Sequence, residues 1–300
     1  MNPIHRRSFL KCGLAGAGLL TGFSSTVGYV QAAESGHTVD QVALGNTGIH
    51  LSRFAMGTGT RGWEQVSDQT KLGQQKFDAL MRHGYDRGIN FWDMADIYGS
   101  HQHAAKVLRS YPREKLVLLS KLWPEPLQWK PENNPKKDFD RIRLEIGTDY
   151  LDIVLLHGQN TPNWPEEKKA WMEVLSAEKE KGNIRALGCS CHSTEGLRAA
   201  AKSPWVEVVL AQINHKGGEE YRMGGTVEEV TAILKELRTA GKAILGMKLY
   251  GCGTLVEPDQ REASLNYVLK NNLVDAATIG FLSEAEIDEH IVRTGRILSS

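Results

Sequence analysis

The chain has 300 residues, and its 36 basic and 36 acidic side chains give a formal net charge of zero. A balanced charge gives no sign of a nucleic-acid partner or of attraction to a charged membrane surface. Four cysteines in 300 residues exclude a small disulfide-stapled scaffold.

The first 32 residues have the pattern of an export signal. Residues 5–11 read HRRSFLK, and two adjacent arginines there are typical of the twin-arginine pathway. A weakly apolar, glycine-rich stretch follows, too polar for stable membrane insertion, and VQAA at 30–33 offers small residues for cleavage. We predict a signal peptide at 1–32, a periplasmic or otherwise exported protein, and the twin-arginine export machinery as a partner. The alternative is a disordered tail that happens to contain two arginines.

The mature chain, residues 33–300, has the length of a single domain. About 268 residues remain after cleavage, close to the roughly 250 of a (β/α)8 barrel. Three cysteines remain, Cys189, Cys191 and Cys252, and their odd number leaves at least one thiol unpaired. We expect three free thiols, because a predicted strand lies between the segments that carry Cys191 and Cys252.

Eight short apolar runs alternate with amphipathic stretches along this domain. In the first such stretch Phe77, Leu80, Met81 and Tyr85 recur at the spacing of one helix face. Apolar strands separated by helices indicate a parallel sheet covered by helices. Eight units in this length favour a closed (β/α)8 TIM barrel over an open doubly wound sheet, and residues 42–49 read as an N-terminal β-hairpin closing the barrel floor. The candidate strands are 53–57, 88–93, 116–121, 151–157, 184–190, 206–213, 243–247 and 276–279.

Ionisable side chains follow three successive candidate strands. Asp93, Lys121 and His157 each stand where an apolar run stops, and Tyr98 lies five residues beyond Asp93. The carboxyl ends of the strands are where a parallel barrel builds its active site. A carboxylate, an ammonium, an imidazole and a phenol together suit proton transfer to a carbonyl oxygen. Taken singly, each has a structural alternative, and Asp96 reads as a loop-capping residue.

The order of these residues resembles the aldo-keto reductases. The resemblance rests on Asp-x-Ala-x-x-Tyr-Gly at 93–99, a Lys closing the next strand, and DYLDIVLLH at 149–157, and it extends from about residue 42 to about residue 291. It implies a TIM barrel that uses NADP(H) or NAD(H) on a small-molecule carbonyl substrate. By the same resemblance Tyr98 is the general acid, Lys121 lowers the pKa of its phenol, Asp93 pairs with Lys121, and His157 orients the carbonyl.

The resemblance also implies a cofactor site, with several departures from the family pattern. Cys191 stands at a usual Asn, Met247 at a usual Tyr, and His290 at a usual Asn. Gly280 and Glu286 occupy positions where NADPH-preferring relatives carry Lys and Arg, so we expect no large preference for NADPH over NADH. The implied cofactor-binding residues are Gly57, Thr58, Ser190, Cys191, Gln212, Met247, Ser283, Glu289 and His290.

Two tryptophans extend this picture to the substrate. Trp63 and Trp123 follow the first and third candidate strands and are expected to wall the substrate pocket, although a surface position is the alternative. His101 and His103 have a spacing that can bind metal, but no third ligand is evident, and we expect a surface pair and no metal site.

The sequence therefore predicts an exported aldo-keto reductase-like oxidoreductase that transfers a hydride from a nicotinamide cofactor to small aldehydes or ketones. The alternative is a cofactor-binding scaffold or sensor of the same fold with little turnover. A third class is thiol redox chemistry at Cys191 and Cys252. The absence of a Gly-x-Gly-x-x-Gly fingerprint argues against a Rossmann fold.

Overall fold

The computed structural model describes residues 39–300. The predicted signal peptide at 1–32 lies outside the described residues. Two short antiparallel strands precede eight parallel strands, with helices between them. The strands are β1 Gln41–Ala43, β2 His50–Ser52, β3 Phe54–Gly57, β4 Phe91–Asp93, β5 Val117–Leu122, β6 Leu151–Leu156, β7 Ile184–Cys191, β8 Val208–Gln212, β9 Ala243–Met247 and β10 Ala276–Ile279. The helices are α1 Gln74–Asp86, α2 His101–Leu108, α3 Pro135–Ile146, α4 Trp164–Glu167, α5 Lys169–Glu180, α6 Thr194–Lys202, α7 Val227–Thr239, α8 Pro258–Lys270 and α9 Glu284–Ser299.

The eight parallel strands close into a barrel in chain order. Each pairs with its sequence neighbour, and β10 pairs back onto β3, with Thr278 opposite Ala55. The prediction of a (β/α)8 TIM barrel is confirmed. All eight predicted strands are present, although β4 begins at Phe91 because Gly88, at φ 91°, belongs to the turn that follows α1.

The hairpin closes the amino-terminal end of the barrel, as predicted. Its Leu44, Ile49 and Leu51 are fully buried and form one apolar cluster with inward-facing barrel residues such as Phe91 and Leu119. A floor of this kind excludes water from the lower barrel, so the polar chemistry is confined to the opposite end.

A second apolar layer lies between the barrel and the helices. In β6, Ile153 and Leu155 point into the barrel and alternate with Val154 and Leu156, which belong to this second layer. Burial on both faces explains why these strands are continuously apolar in sequence. Among residues 39–300, no helix combines the length and apolar character needed to span a membrane.

Helix starts follow local capping signals. Thr226 accepts a hydrogen bond from the Glu229 backbone, and the Glu229 carboxylate accepts one from the Thr226 backbone, a capping box at the start of α7. Asn134 caps α3 ahead of Pro135, the first helical residue. These caps satisfy backbone donors that would otherwise be unpaired and fix where each helix leaves its strand.

Candidate active site

The four predicted catalytic residues converge at the carboxyl ends of β4, β5 and β6. Asp93 ends β4, Lys121 is the penultimate residue of β5, and His157 directly follows β6. The Lys121 ammonium donates to an Asp93 carboxylate oxygen and, at 2.9 Å, to the Met94 carbonyl. Tyr98 lies in a short 3-10 turn after β4, with Lys121 Nζ 4.9 Å from its ring centroid. Its ring meets that of His157 edge-on at 5.6 Å between centroids.

Glycines in the β3–α1 loop make room for the Tyr98 ring. A Cβ at Gly59 would lie 2.1 Å from Tyr98 Cε2, and one at Gly62 would lie 2.5 Å from its Cδ1. Real Cβ contacts do not occur at such distances, so the ring rests directly on the loop backbone. Any other residue at Gly59 would push the phenol away from His157.

Burial dominates the electrostatics of this group. Asp93 is 5% exposed and Lys121 is 1% exposed. Each of these buried charges is stabilised by the opposite charge of the other. Burial raises the pKa of Tyr98 well above its usual value, with Asp93 and Asp96 adding to the effect. The net shift of the Tyr98 pKa is upward, and the expectation that Lys121 lowers it stays a prediction. A phenol with a raised pKa stays protonated and can act as a proton donor.

His157 is a neutral imidazole in the cavity. Burial lowers its pKa well below the usual value, and Lys121, His192 and Lys248 lower it further. Its Nδ1 is buried and has no hydrogen-bond partner in the part of the chain that the structure describes. Its position in the cavity wall and its neutral form suit it to orient a carbonyl.

A cavity of about 840 Å³ opens above these side chains. Trp63 and Trp123 line it and meet edge-on at 5.2 Å between ring centroids. The Trp123 backbone N–H donates to Asp96 Oδ2 at 3.0 Å, and Lys130 Nζ donates to the Trp123 carbonyl at 2.7 Å. Asp96 is thus the loop-capping residue that the sequence predicts, and the role of both tryptophans toward substrate stays a prediction.

Comparisons with known proteins identify the family. The profile of the aldo/keto reductase family matches residues 54–278 of this chain. The chain belongs to this family. As a member, it is an oxidoreductase that reduces carbonyl groups with NAD(P)H.

Individual relatives share the architecture at low identity. Aldo-keto reductase AFTS1 of Alternaria alternata is 28% identical over 259 residues, which cover 74% of this chain and 68% of that protein. A solved aldo-keto reductase from Pseudomonas aeruginosa superposes with a TM-score of 0.70 at 22% identity, covering 86% of this chain and 96% of that one. Another, from Klebsiella pneumoniae in complex with NADPH, has a TM-score of 0.64 at 20% identity, covering 86% and 90%.

Several predicted cofactor residues of this aldo/keto reductase line the cavity. Gly57, Met247, Glu289 and His290 all do so. A Cβ at Gly280 would lie 1.9 Å from Thr60 Oγ1, so the backbone forms that part of the wall. The apolar Met247, the bare glycine backbone and buried imidazole nitrogens fit a nicotinamide cofactor, which Gly57, Met247, Glu289 and His290 would hold.

Two further predicted cofactor residues make hydrogen bonds within the protein, and their role toward the cofactor stays a prediction. The Thr58 hydroxyl is fully buried and donates to the Asp93 carbonyl at 2.8 Å, with the Ser100 hydroxyl also at 2.8 Å. The Ser283 hydroxyl caps α9 by accepting from the Glu286 backbone N–H at 3.3 Å. Neither residue is part of the cavity wall.

The predicted cofactor residues at the ends of β7 and β8 make hydrogen bonds or apolar contacts within the protein, and their role toward the cofactor stays a prediction. Ser190 Oγ accepts from the Gly158 N–H at 2.9 Å, and Cys191 is buried in the outer apolar layer. Gln212 Nε2 donates to His192 Nδ1 at 2.7 Å, while its Oε1 accepts from the Gly224 N–H at 2.8 Å. None of the three predicted residues lines the cavity. For Cys191 the reason is strand alternation, since β7 extends through Cys191 and leaves His192 as the residue at its mouth.

Sequence reasoning missed several cavity residues. His192 and Lys248, which directly follow β7 and β9, are the clearest cases, because strand-end position was the signal that identified the catalytic residues. Arg61, Arg261 and Arg293 come from loops and helices and carried no such signal. The cavity wall includes His192, Lys248, Arg61, Cys252, Arg261 and Arg293.

The histidines predicted as a surface pair do not share one environment. His101 is buried, with Nδ1 2.8 Å from Glu145 Oε2 and Nε2 2.9 Å from Ser120 Oγ, so that prediction was wrong for His101. Over residues 39–300, no group of three or more potential metal ligands is placed to hold an ion.

The three thiols are free, as expected. Cys189 and Cys191 point the same way, with Sγ atoms 3.7 Å apart, and burial raises the pKa of Cys191 well above its usual value. We expect a thiol reagent to alkylate Cys252 first, because it alone of the three lines the cavity, and bound NADPH to slow this reaction. Peptide mapping after timed alkylation checks this, with Cys252→Ser as the control. Modification of Cys191 before Cys252 in the folded protein would contradict it.

His290, in α9, is buried and lines the cavity. Tyr250 Oη is 2.8 Å from its Nδ1, and the Phe54 ring packs edge-on at 4.3 Å. Burial lowers its pKa to about 3, with Arg293 adding to the effect. The neutral ring therefore resists protonation in the folded state.

This pKa predicts acid sensitivity. The unfolded state binds a proton below about pH 6.5, while folded His290 does not, so its contribution to stability is complete above pH 6.5 and is lost as pH falls toward 3. Between pH 6 and 4.5 the free energy of unfolding should fall more steeply than in His290→Asn, by about 1.4 kcal/mol per pH unit. Denaturant titrations at several pH values measure both slopes. Parallel slopes would contradict the assignment.

Proposed function

We propose that this protein is an exported aldo/keto reductase acting on small aldehydes or ketones. The observation that carries the catalytic part is the convergence of Asp93, Tyr98, Lys121 and His157 at one end of the cavity. The predicted twin-arginine signal supports export. In this proposal the cofactor supplies the hydride, and the protein supplies the proton and the geometry.

The roles of the four side chains follow from their surroundings. Tyr98 holds its proton because of burial and donates it to the carbonyl oxygen. His157, neutral and in the cavity wall, orients that oxygen. The Lys121 ammonium lies over the face of the Tyr98 ring and holds the ring in position. Asp93 holds Lys121 in place by accepting its hydrogen bond. Trp63 and Trp123 offer an apolar wall for the rest of the substrate.

A direct test uses the full chain expressed in a bacterium with a twin-arginine system. We expect a processed protein in the periplasmic fraction, with NAD(P)H oxidation that depends on an added small aldehyde. Substituting Arg6 and Arg7 by Lys should retain the unprocessed chain inside the cell. Periplasmic protein after that change would refute the export proposal, while absent turnover would refute the catalytic one.

The scaffold or sensor alternative gains one observation. Gln212, which the family resemblance assigns to the nicotinamide, is hydrogen-bonded to His192 and to the Gly224 backbone. While these bonds persist, the Gln212 amide is not free to orient the nicotinamide, and a bound but poorly oriented cofactor transfers its hydride slowly. Tight NADPH binding combined with rates near background for every aldehyde tested would favour this alternative.

Cofactor choice gives a further prediction. Glu286 lines the cavity, and Glu289 there is paired with Arg293 at 2.5 Å and Arg261 at 3.3 Å. With both arginines engaged, NADPH should have no large advantage over NADH. Glu286→Arg should tighten NADPH about tenfold and leave NADH nearly unchanged.

Fluorescence titration of both cofactors measures this selectivity. Glu286→Gln is the control, because Glu286 Oε2 accepts from the Leu282 N–H at 2.7 Å and an amide oxygen can retain that bond. Gly280→Lys is unsuitable, since Thr60 leaves no room for its Cβ. A strong NADPH preference in the unmutated protein would refute the prediction.

A further inference from the structure

A second polar group, formed by His192 and Lys248, lies in the same cavity as Tyr98 and His157. Both residues stand at strand mouths, directly after β7 and β9. Lys248 has φ 59°, in the left-handed region that is costly for a residue with a side chain. Such backbone strain is found most often at functional sites, and no role has yet been given to either residue.

Hydrogen bonds fix the tautomer of His192. Gln212 Nε2 donates to His192 Nδ1 at 2.7 Å, with the amide oriented by the bond from the Gly224 N–H to its oxygen. Lys248 Nζ donates to the same Nδ1 at 3.1 Å. Because Nδ1 accepts twice, the ring proton resides on Nε2. Burial and Lys248 lower the pKa of His192 to about 3, so the neutral ring is the relevant form.

Lys248 lacks a counter-ion. Other cavity cations are paired: Arg61 with Asp68 at 2.8 Å, and Arg293 with Glu289 at 2.5 Å. Among the described residues, no carboxylate is paired with Lys248 Nζ; burial lowers the pKa of this half-buried amine, while the more distant Cys252 and Glu219 raise it. An ammonium and an imidazole N–H without acidic partners form a site for an anion.

We propose that Lys248 and His192 bind the carboxylate of a carbonyl substrate, so that this reductase prefers 2-oxo acids and similar carboxylate-bearing carbonyls to neutral ones. His157, the predicted carbonyl-orienting residue, directly follows β6, which pairs with β7, and it lines the same cavity as His192 and Lys248. This deepens the proposed function and rests on it. The phosphates of the cofactor are the other anions that could bind at this site. The experiments below distinguish them from a substrate carboxylate.

The turnover experiment compares pyruvate with its neutral methyl ester. Lys248→Met keeps the length of the aliphatic stem and removes the charge, whereas Lys248→Arg keeps the charge. For Lys248→Met we expect kcat/KM to fall about 10- to 100-fold with pyruvate, mainly through KM, and to stay within about twofold with the ester. Lys248→Arg should recover much of the activity toward pyruvate.

A binding experiment keeps the inference testable even if turnover is absent. Oxamate, an unreactive analogue of a 2-oxo acid, should quench the fluorescence of the NADPH-bound protein, and ethyl oxamate should bind more weakly. Lys248→Met should abolish the difference between them. NADPH affinity, measured by titration without substrate, should be unchanged in Lys248→Met.

The outcomes separate the two proposals. Rates near background for both pyruvate and its ester, with oxamate binding that depends on Lys248, would refute the reductase function and keep the carboxylate site. Equal losses with acid and ester, or weaker NADPH binding in Lys248→Met, would assign Lys248 to the cofactor and overturn the inference. Oxamate binding that Lys248→Met leaves intact would also overturn it.

Discussion

Replacing Tyr98 with Phe should reduce carbonyl reduction about 10²–10⁴-fold, the usual contribution of a general acid. The phenylalanine ring retains the contacts with Gly59 and Gly62 and stays beneath the Lys121 ammonium, so only the hydroxyl is lost. Cofactor affinity and melting temperature should therefore stay near those of the unmutated protein. Steady-state rates with a good aldehyde substrate, together with a fluorescence titration of NADPH, measure both.

The control for this change is Tyr111→Phe. Tyr111 packs against Tyr85 and Trp92 on the helix side of the barrel and is not part of the cavity wall. Its loss should leave the rate unchanged. If Tyr98→Phe retained turnover within a factor of two, another group would supply the proton and the assignment would be wrong.

Breaking the Asp93–Lys121 pair should have the largest effect on stability. Lys121→Met leaves a carboxylate buried without its cation, and Asp93→Asn leaves the buried ammonium without its anion. Each single change should lower the free energy of unfolding by about 3–5 kcal/mol, because an unpaired buried charge retains its desolvation cost. The double variant should be more stable than either single variant, since neither charge remains.

Denaturant titrations of the four proteins complete a double-mutant cycle. Activity should be low in all three variants, because each loses Lys121 or the carboxylate that holds Lys121 against the Tyr98 ring. Recovered stability without recovered activity would separate the positioning role from the contribution to folding. A double variant whose loss equals the sum of the two single losses would show that the residues do not act as a pair.

The sequence was sufficient to predict the barrel and the convergence of the four proposed catalytic side chains. A strand that is buried on both faces is continuously apolar, so it can be recognised in the sequence. An ionisable residue that ends such a run must lie at the mouth of the strand. Asp93, Lys121 and His157 follow this rule directly. Tyr98 needed the family resemblance, because it lies in a turn whose path depends on Gly59 and Gly62.

The proposed cofactor and anion sites were harder to predict for physical reasons. Whether Cys191 or His192 faces the cavity depends on a single residue at the end of β7, since a one-residue shift exchanges the two faces of a strand. The partners of Gln212 are set by a loop contact with Gly224, which no local pattern reveals. The raised pKa of Tyr98 comes from burial, which depends on the complete fold.

The most direct test of the account follows the hydride itself. The mature protein is incubated with an aldehyde and NADPH that carries deuterium at the transferable position of nicotinamide C4, and the product alcohol is analysed by mass spectrometry. The account predicts one deuterium at the former carbonyl carbon, formed by the unmutated protein and strongly diminished in Tyr98→Phe. An alcohol without deuterium, or equal labelled product from Tyr98→Phe at the same early time, would contradict it.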